Sequence, residues 1–131
     1  MDVVLDRLGR PLRDLRVSVT DRCNFRCRYC MPREEFGKGH VFLPKNEILT
    51  YEEIRNFVKA CKPLGLRKVR ITGGEPLLRQ DLHHLIRQLS AMEMEVALTT
   101  NGSLLENNAA NLARSGLSRV TISLDAIDQE V

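Results

Sequence analysis

Two spacings of apolar residues take turns along this chain. Residues 15–19, Leu-Arg-Val-Ser-Val, switch between apolar and polar at every step and are rich in β-branched side chains, which predicts a short, half-buried strand. Residues 68–72, 96–99 and 120–124 predict three more strands. Between them the period changes to that of a helix. Thr50-Tyr51-Glu52-Glu53 reads as a capping box, with Glu53 at the third helical position. Ile54, Phe57, Val58 and Cys61 then follow at i, i+3, i+4 and i+7, the spacing of one apolar helix face, and Pro63 ends the run. Leu82, Leu85, Ile86 and Leu89 mark a second amphipathic helix, and residues 104–115 a third, with Gly116 suited to close it. Residues 34–49 contain Gly37, Gly39 and Pro44 and read as an irregular connection.

Strands alternating with helices imply an α/β fold built on a parallel sheet, in which functional groups gather at the carboxyl ends of the strands. Four strands and three helices are too few to close a barrel, so an open, partial (βα) barrel is expected. A length of 131 residues, 43% of them hydrophobic, suits one domain with a real core. The net charge of +3 points to neither nucleic acid nor an acidic membrane surface. Aromatic residues, at 5%, are also too scarce for a stacking nucleic-acid binder. The positive charge is uneven, however. Eight arginines and only two carboxylates, Asp14 and Asp21, fall between Arg7 and Arg33. Such a neighbourhood suits an anionic group, although each arginine is equally readable as solvated surface. No apolar run approaches a membrane span and no signal peptide opens the chain, so a cytoplasmic location is expected, where free cysteines persist.

The cysteines change the picture most. Cys23, Cys27 and Cys30 form a C-x3-C-x2-C triplet within Asp21-Arg22-Cys23-Asn24-Phe25-Arg26-Cys27-Arg28-Tyr29-Cys30-Met31-Pro32. Three thiolates can hold three corners of a cubic [4Fe-4S] cluster, which normally takes four, and so leave one iron open to a small molecule. Arg22, Arg26 and Arg28 interleave with them and favour the thiolate form. Zinc is the competing metal, but structural zinc sites close with four ligands, and His40 or Cys61 would have to complete the set. Cys61 lies on the apolar helix face and reads as a core residue.

This triplet, with an aromatic before its last cysteine, resembles the signature of the radical S-adenosylmethionine (SAM) superfamily. The longer run from Leu15 to Pro32 is similar to the GTP 3′,8-cyclase family of molybdenum cofactor biosynthesis, and the resemblance extends from Asp6-Arg7-Leu8-Gly9-Arg10 to Ser123-Leu124-Asp125. The resemblance implies a partial TIM-like barrel, a [4Fe-4S] cluster on Cys23, Cys27 and Cys30, and SAM bound to the open iron. It implies a lyase. One electron would cleave SAM to a 5′-deoxyadenosyl radical, which takes hydrogen from C3′ of GTP before C3′ bonds to C8 of guanine. An external reductant supplies the electron, and full-length members are expected to be homodimers.

The resemblance also assigns residues. Tyr29, Gly74, Glu75 and Ser123 correspond to SAM contacts, and Arg16, Arg70 and Thr99 to GTP contacts. Each has a plainer reading. Tyr29 can anchor its loop, Gly-Gly-Glu-Pro is a tight turn before a helix, Asn101-Gly102 is a common turn pair, and Ser123 can satisfy local backbone. Hydroxyl and amide groups in Thr99-Thr100-Asn101-Gly102 are suited to hold a ribose or a carboxylate. Arginines on strands facing a barrel interior are costly without an anion, which favours a role for Arg16 and Arg70. His83 and His84 read as surface helix residues without a role.

Against that family the 131 residues correspond to the N-terminal part of a radical SAM core domain. The second three-cysteine cluster, the later strands, a triphosphate-holding lysine and a Gly-Gly tail have no counterpart in them. On this reading the chain assembles the first cluster but does not complete the cyclisation by itself, and the edge beyond Ser123 lowers solubility. The competing classes are another radical SAM enzyme, of the activase or peptide-modifying kind, and a non-catalytic metal-binding module.

Overall fold

Each β-branched run becomes a strand because its branched side chains pack on a pleated, half-buried surface. The computed structural model describes residues 3–24 and 39–124. Within them β1 (Asp14–Ser18), β2 (Lys68–Thr72), β3 (Glu95–Thr100) and β4 (Arg119–Ile122) form one sheet in the order 1-2-3-4, every pair parallel. The connections carry α1 (Tyr51–Cys61), α2 (Leu82–Ala91) and α3 (Leu105–Arg114). The expected α/β architecture of four parallel strands and three helices is what the chain adopts, as in part of a TIM-like barrel. No helix among the described residues is long and apolar enough to cross a membrane.

α1 begins as the sequence requires. Thr50 Oγ1 accepts from the Glu53 N–H at 3.1 Å, while Glu53 Oε2 accepts from the Thr50 N–H at 2.7 Å. The helices bury Ile54, Val58 and Cys61, then Leu82, Leu85, Ile86 and Leu89, then Leu112, against Val69, Ile71, Val96 and Leu98 of the two central strands. Cys61 is a core residue, as expected. Phe57 departs from expectation, for it is 58% exposed. It borders a hollow of about 260 Å³ shared with Leu15, Val17, Leu49 and Ile54, beside β1, an edge strand among the described residues. The periodic stripe is therefore wider than the surface available to cover it.

The other face of the sheet is polar. Its register places Arg16, Arg70, Ala97 and Arg119 side by side across the four strands, with Thr99 opposite Thr121 one step nearer the carboxyl end.

Candidate functional site

Past the ends of β1 and β2 the parallel ladder continues into the loops. The Val19 N–H donates to Thr72 O at 3.0 Å, the Gly74 N–H to Thr20 O at 2.8 Å, and the Glu75 N–H to Arg22 O at 2.7 Å. The loop leading to Cys23 is thus zipped to the Gly-Gly-Glu-Pro turn. Glycine makes this approach possible: a Cβ on Gly73 would lie 2.6 Å from the Thr20 carbonyl oxygen, and one on Gly74 would overlap the carbonyl of Arg22.

Glu75 is completely buried, and its carboxylate is already engaged. The Thr100 hydroxyl donates to Oε1 at 2.7 Å and sits 2.8 Å from Oε2, the Asn101 N–H donates to Oε2 at 2.8 Å, and the Leu77 N–H to Oε1 at 3.3 Å. A buried carboxylate persists only where such donors replace water. The carboxylate that the Thr-Thr-Asn-Gly turn was suited to hold is this one, from the same chain. Glu75 consequently ties the loop after β2 to the end of β3 and presents no exposed oxygen.

From that anchor the turn reaches Cys23. Asn101 Oδ1 accepts from the Ser103 N–H at 3.0 Å and its hydroxyl at 2.6 Å. Its Nδ2 lies 2.9 Å from Asn24 Oδ1 and 3.9 Å from Cys23 Sγ. Asn24 in turn donates to Ser103 Oγ at 2.8 Å. Three loops, following β1, β2 and β3, meet around the first cysteine of the triplet. Cys23 is half-buried. A soft thiol at this edge, with an amide donor beside it, fits a thiolate ligand to iron. Nearby, Asp21 Oδ2 accepts from the Leu43 N–H at 2.8 Å, while Oδ1 is buried without a hydrogen-bond partner. Cys27, Tyr29 and Cys30 lie outside the described residues, among which no group of three metal-ligating side chains occurs. Cys61 is excluded as a fourth ligand. It ends a helix that runs back toward the amino ends of the strands, about 16 Å from the carboxyl edge for five-residue strands.

The three expected GTP contacts share the polar face. Arg70 is half-buried, and its Nη1 donates to Thr99 Oγ1 at 3.0 Å and Thr121 Oγ1 at 3.3 Å. Arg16 is the exposed register neighbour of Arg70. No ion pair among the described residues involves either arginine, whereas Arg119 approaches Glu95 at 3.8 Å. The two arginines line one hollow with Lys68 and Asp14, three cationic side chains to one carboxylate, and so make an anion-attracting patch. Ser123 extends the sheet one step beyond β4, its N–H donating to Thr100 O at 2.9 Å.

Sequence reasoning missed Arg79, Thr121 and Asn24. Arg79 donates to Val19 O at 2.9 Å and Leu49 O at 2.7 Å, and its guanidinium lies 4.2 Å from the centre of the Tyr51 ring. The Tyr51 hydroxyl donates to Gln80 O at 2.7 Å. Burial pushes that hydroxyl up to about 12; the Arg79 charge opposes the rise and the Asp81 charge adds to it. A single arginine thereby clamps the end of β1, the start of α1 and the turn after Gly74. Its only sequence signal was proximity to the Gly-Gly-Glu-Pro motif.

Comparison with known proteins agrees with this geometry. A family model described as the radical SAM superfamily matches residues 17–131. A GTP 3′,8-cyclase of Staphylococcus epidermidis is 55% identical over 132 residues, covering 99% of this chain and 39% of the relative. GTP 3′,8-cyclases of Staphylococcus haemolyticus and Staphylococcus saprophyticus are each 55% identical, over 98% and 100% of this chain and 38% and 39% of their own. The chain spans about two-fifths of the length of the curated relatives it matches.

Proposed function

Since the chain belongs to the radical SAM superfamily, we propose that it carries the cluster- and SAM-binding part of a GTP 3′,8-cyclase acting in molybdenum cofactor biosynthesis. The observation that carries this reading is the joining of the loops after β1, β2 and β3 beside Cys23, with Glu75 bonded to Arg22 and Asn101 and Asn101 in turn reaching Cys23 Sγ, and with the Arg16, Arg70 and Thr99 patch on the same sheet. Cys23, Cys27 and Cys30 hold a [4Fe-4S] cluster. When bound, that cluster supplies the single electron that cleaves SAM reductively.

The remaining work falls to the chain. Tyr29, Gly74 and Ser123 border SAM; Gly74 offers backbone without a side chain in the way, and Ser123 a hydroxyl at the sheet's edge. Glu75 belongs to the same SAM-binding group but acts from behind, holding the loops in register through Thr100 and Asn101. Arg16 and Arg70 neutralise the anionic end of GTP, and Thr99 fixes the Arg70 guanidinium. GTP and an external reductant are the partners, with no nucleic acid and no membrane, in an assembly that is homodimeric and cytoplasmic.

Anaerobic reconstitution tests the reading. The expected result is roughly four irons with labile sulfide per chain and an EPR signal, after dithionite reduction, that SAM changes. Cys27→Ala abolishes the cluster absorbance. One zinc per chain, or full absorbance in Cys27→Ala, overturns the proposal.

A further inference from the structure

We infer that the Asn101 side chain is a positioning residue for the cluster, supplying an N–H···S hydrogen bond to the Cys23 ligand. The inference rests on the cluster reading above and goes beyond it by assigning a residue outside the cysteine triplet.

The direction of the amide is fixed by its surroundings. Ser103 N–H is a backbone donor that cannot reverse, and it points at Asn101 Oδ1 at 3.0 Å, with the Ser103 hydroxyl at 2.6 Å on the same oxygen. Nδ2 must therefore face the other way, where Asn24 Oδ1 lies at 2.9 Å and Cys23 Sγ at 3.9 Å. The amide nitrogen has two hydrogens and two acceptors in reach, so each acceptor can take one. The backbone is fixed as well, because Asn101 N–H is held by the buried Glu75 carboxylate at 2.8 Å. An unbroken chain of contacts thus runs from a buried carboxyl group, through one residue, to a ligand sulfur.

Such a donor has a predictable electrical consequence. Sulfur ligands gain negative charge when a cluster is reduced, so a hydrogen bond to the sulfur favours the reduced state and raises the potential. Asn101→Asp separates this role from loop support. Aspartate keeps an acceptor for Ser103 N–H, but it removes both donor hydrogens and adds a negative charge near the sulfur. Ser103→Ala does the converse, loosening the turn while leaving the donor to Cys23.

The experiment is an EPR-monitored redox titration of the anaerobically reconstituted protein, with iron retention under a chelator measured alongside. The expected result is a lower midpoint potential for Asn101→Asp and an unchanged one for Ser103→Ala. An unchanged midpoint in Asn101→Asp overturns the inference, as does an equal shift in both variants. Should Asn101→Asp retain no cluster, retention decides: loss confined to that variant supports the donor role, and equal loss in Ser103→Ala overturns it. A wild-type chain that takes up no four-iron cluster fails the function proposed above, a result distinct from any of these.

Discussion

The two faces of the sheet obey different rules. On the helix-covered face, Val69, Ile71, Val96 and Leu98 are fully buried, and their contribution comes from removing apolar surface from water and filling space. Thr100, on that same face, is 2% exposed, and both it and the buried Glu75 are fully occupied by hydrogen bonds within the chain. On the open face, Arg16 and Arg70 lie beside each other with no ion pair among the described residues, Arg70 donating to the hydroxyls of Thr99 and Thr121. Glu75 and Thr100 are thus saturated internally, whereas Arg16 and Arg70 sit where a ligand can reach them. Burial and hydrogen-bond saturation therefore separate architecture from function more sharply than residue type does.

The largest predicted contrast is between opposite faces. Leu98→Ala should lower unfolding stability by roughly 2–5 kcal/mol through lost burial and a cavity, measured by urea titration. Arg70→Ala, on the other face, should stay within about 0.5 kcal/mol of wild type. Equal losses would erase the distinction between the faces.

A somewhat smaller effect is expected at the polar exception on the buried face. Glu75→Ala leaves the Thr100 hydroxyl and the Asn101 and Leu77 amides without their acceptor, at a cost of about 2–3 kcal/mol in the same titration. A neutral result would mean that solvent replaces the carboxylate and that the loops are not held by it.

The smallest effect concerns pH. The Tyr51 hydroxyl loses its proton near pH 12 in the fold and near pH 10 unfolded, so the fold favours the neutral ring. Its contribution is complete below about pH 10 and disappears as pH rises toward 12, because the unfolded chain releases the proton first. Ultraviolet titration of the phenol should show a step near pH 12 that Tyr51→Phe removes.

Much of this was legible in the sequence. β2 falls where the alternation placed it, at Lys68–Thr72, and the other strands lie within a residue or two of expectation. The capping box and the buried Cys61 were equally readable, because both depend on local spacing. Phe57 was misread because helical periodicity says which way a residue points and nothing about how far the neighbouring sheet extends. Glu75 was recognised as a site residue, yet its partners Thr100 and Asn101 lie 25 and 26 positions away, a distance over which no local pattern operates. The clamp by Arg79 on Val19 and Leu49 has the same origin, since carbonyl acceptors carry no sequence signature.

The close fit of Gly74 against the Arg22 carbonyl has a mechanical side. Backbone pressed on backbone cannot give way as a side chain can, so the segment entering Cys23 and the Gly-Gly turn shift as one rigid unit. Strain applied at either is felt at both.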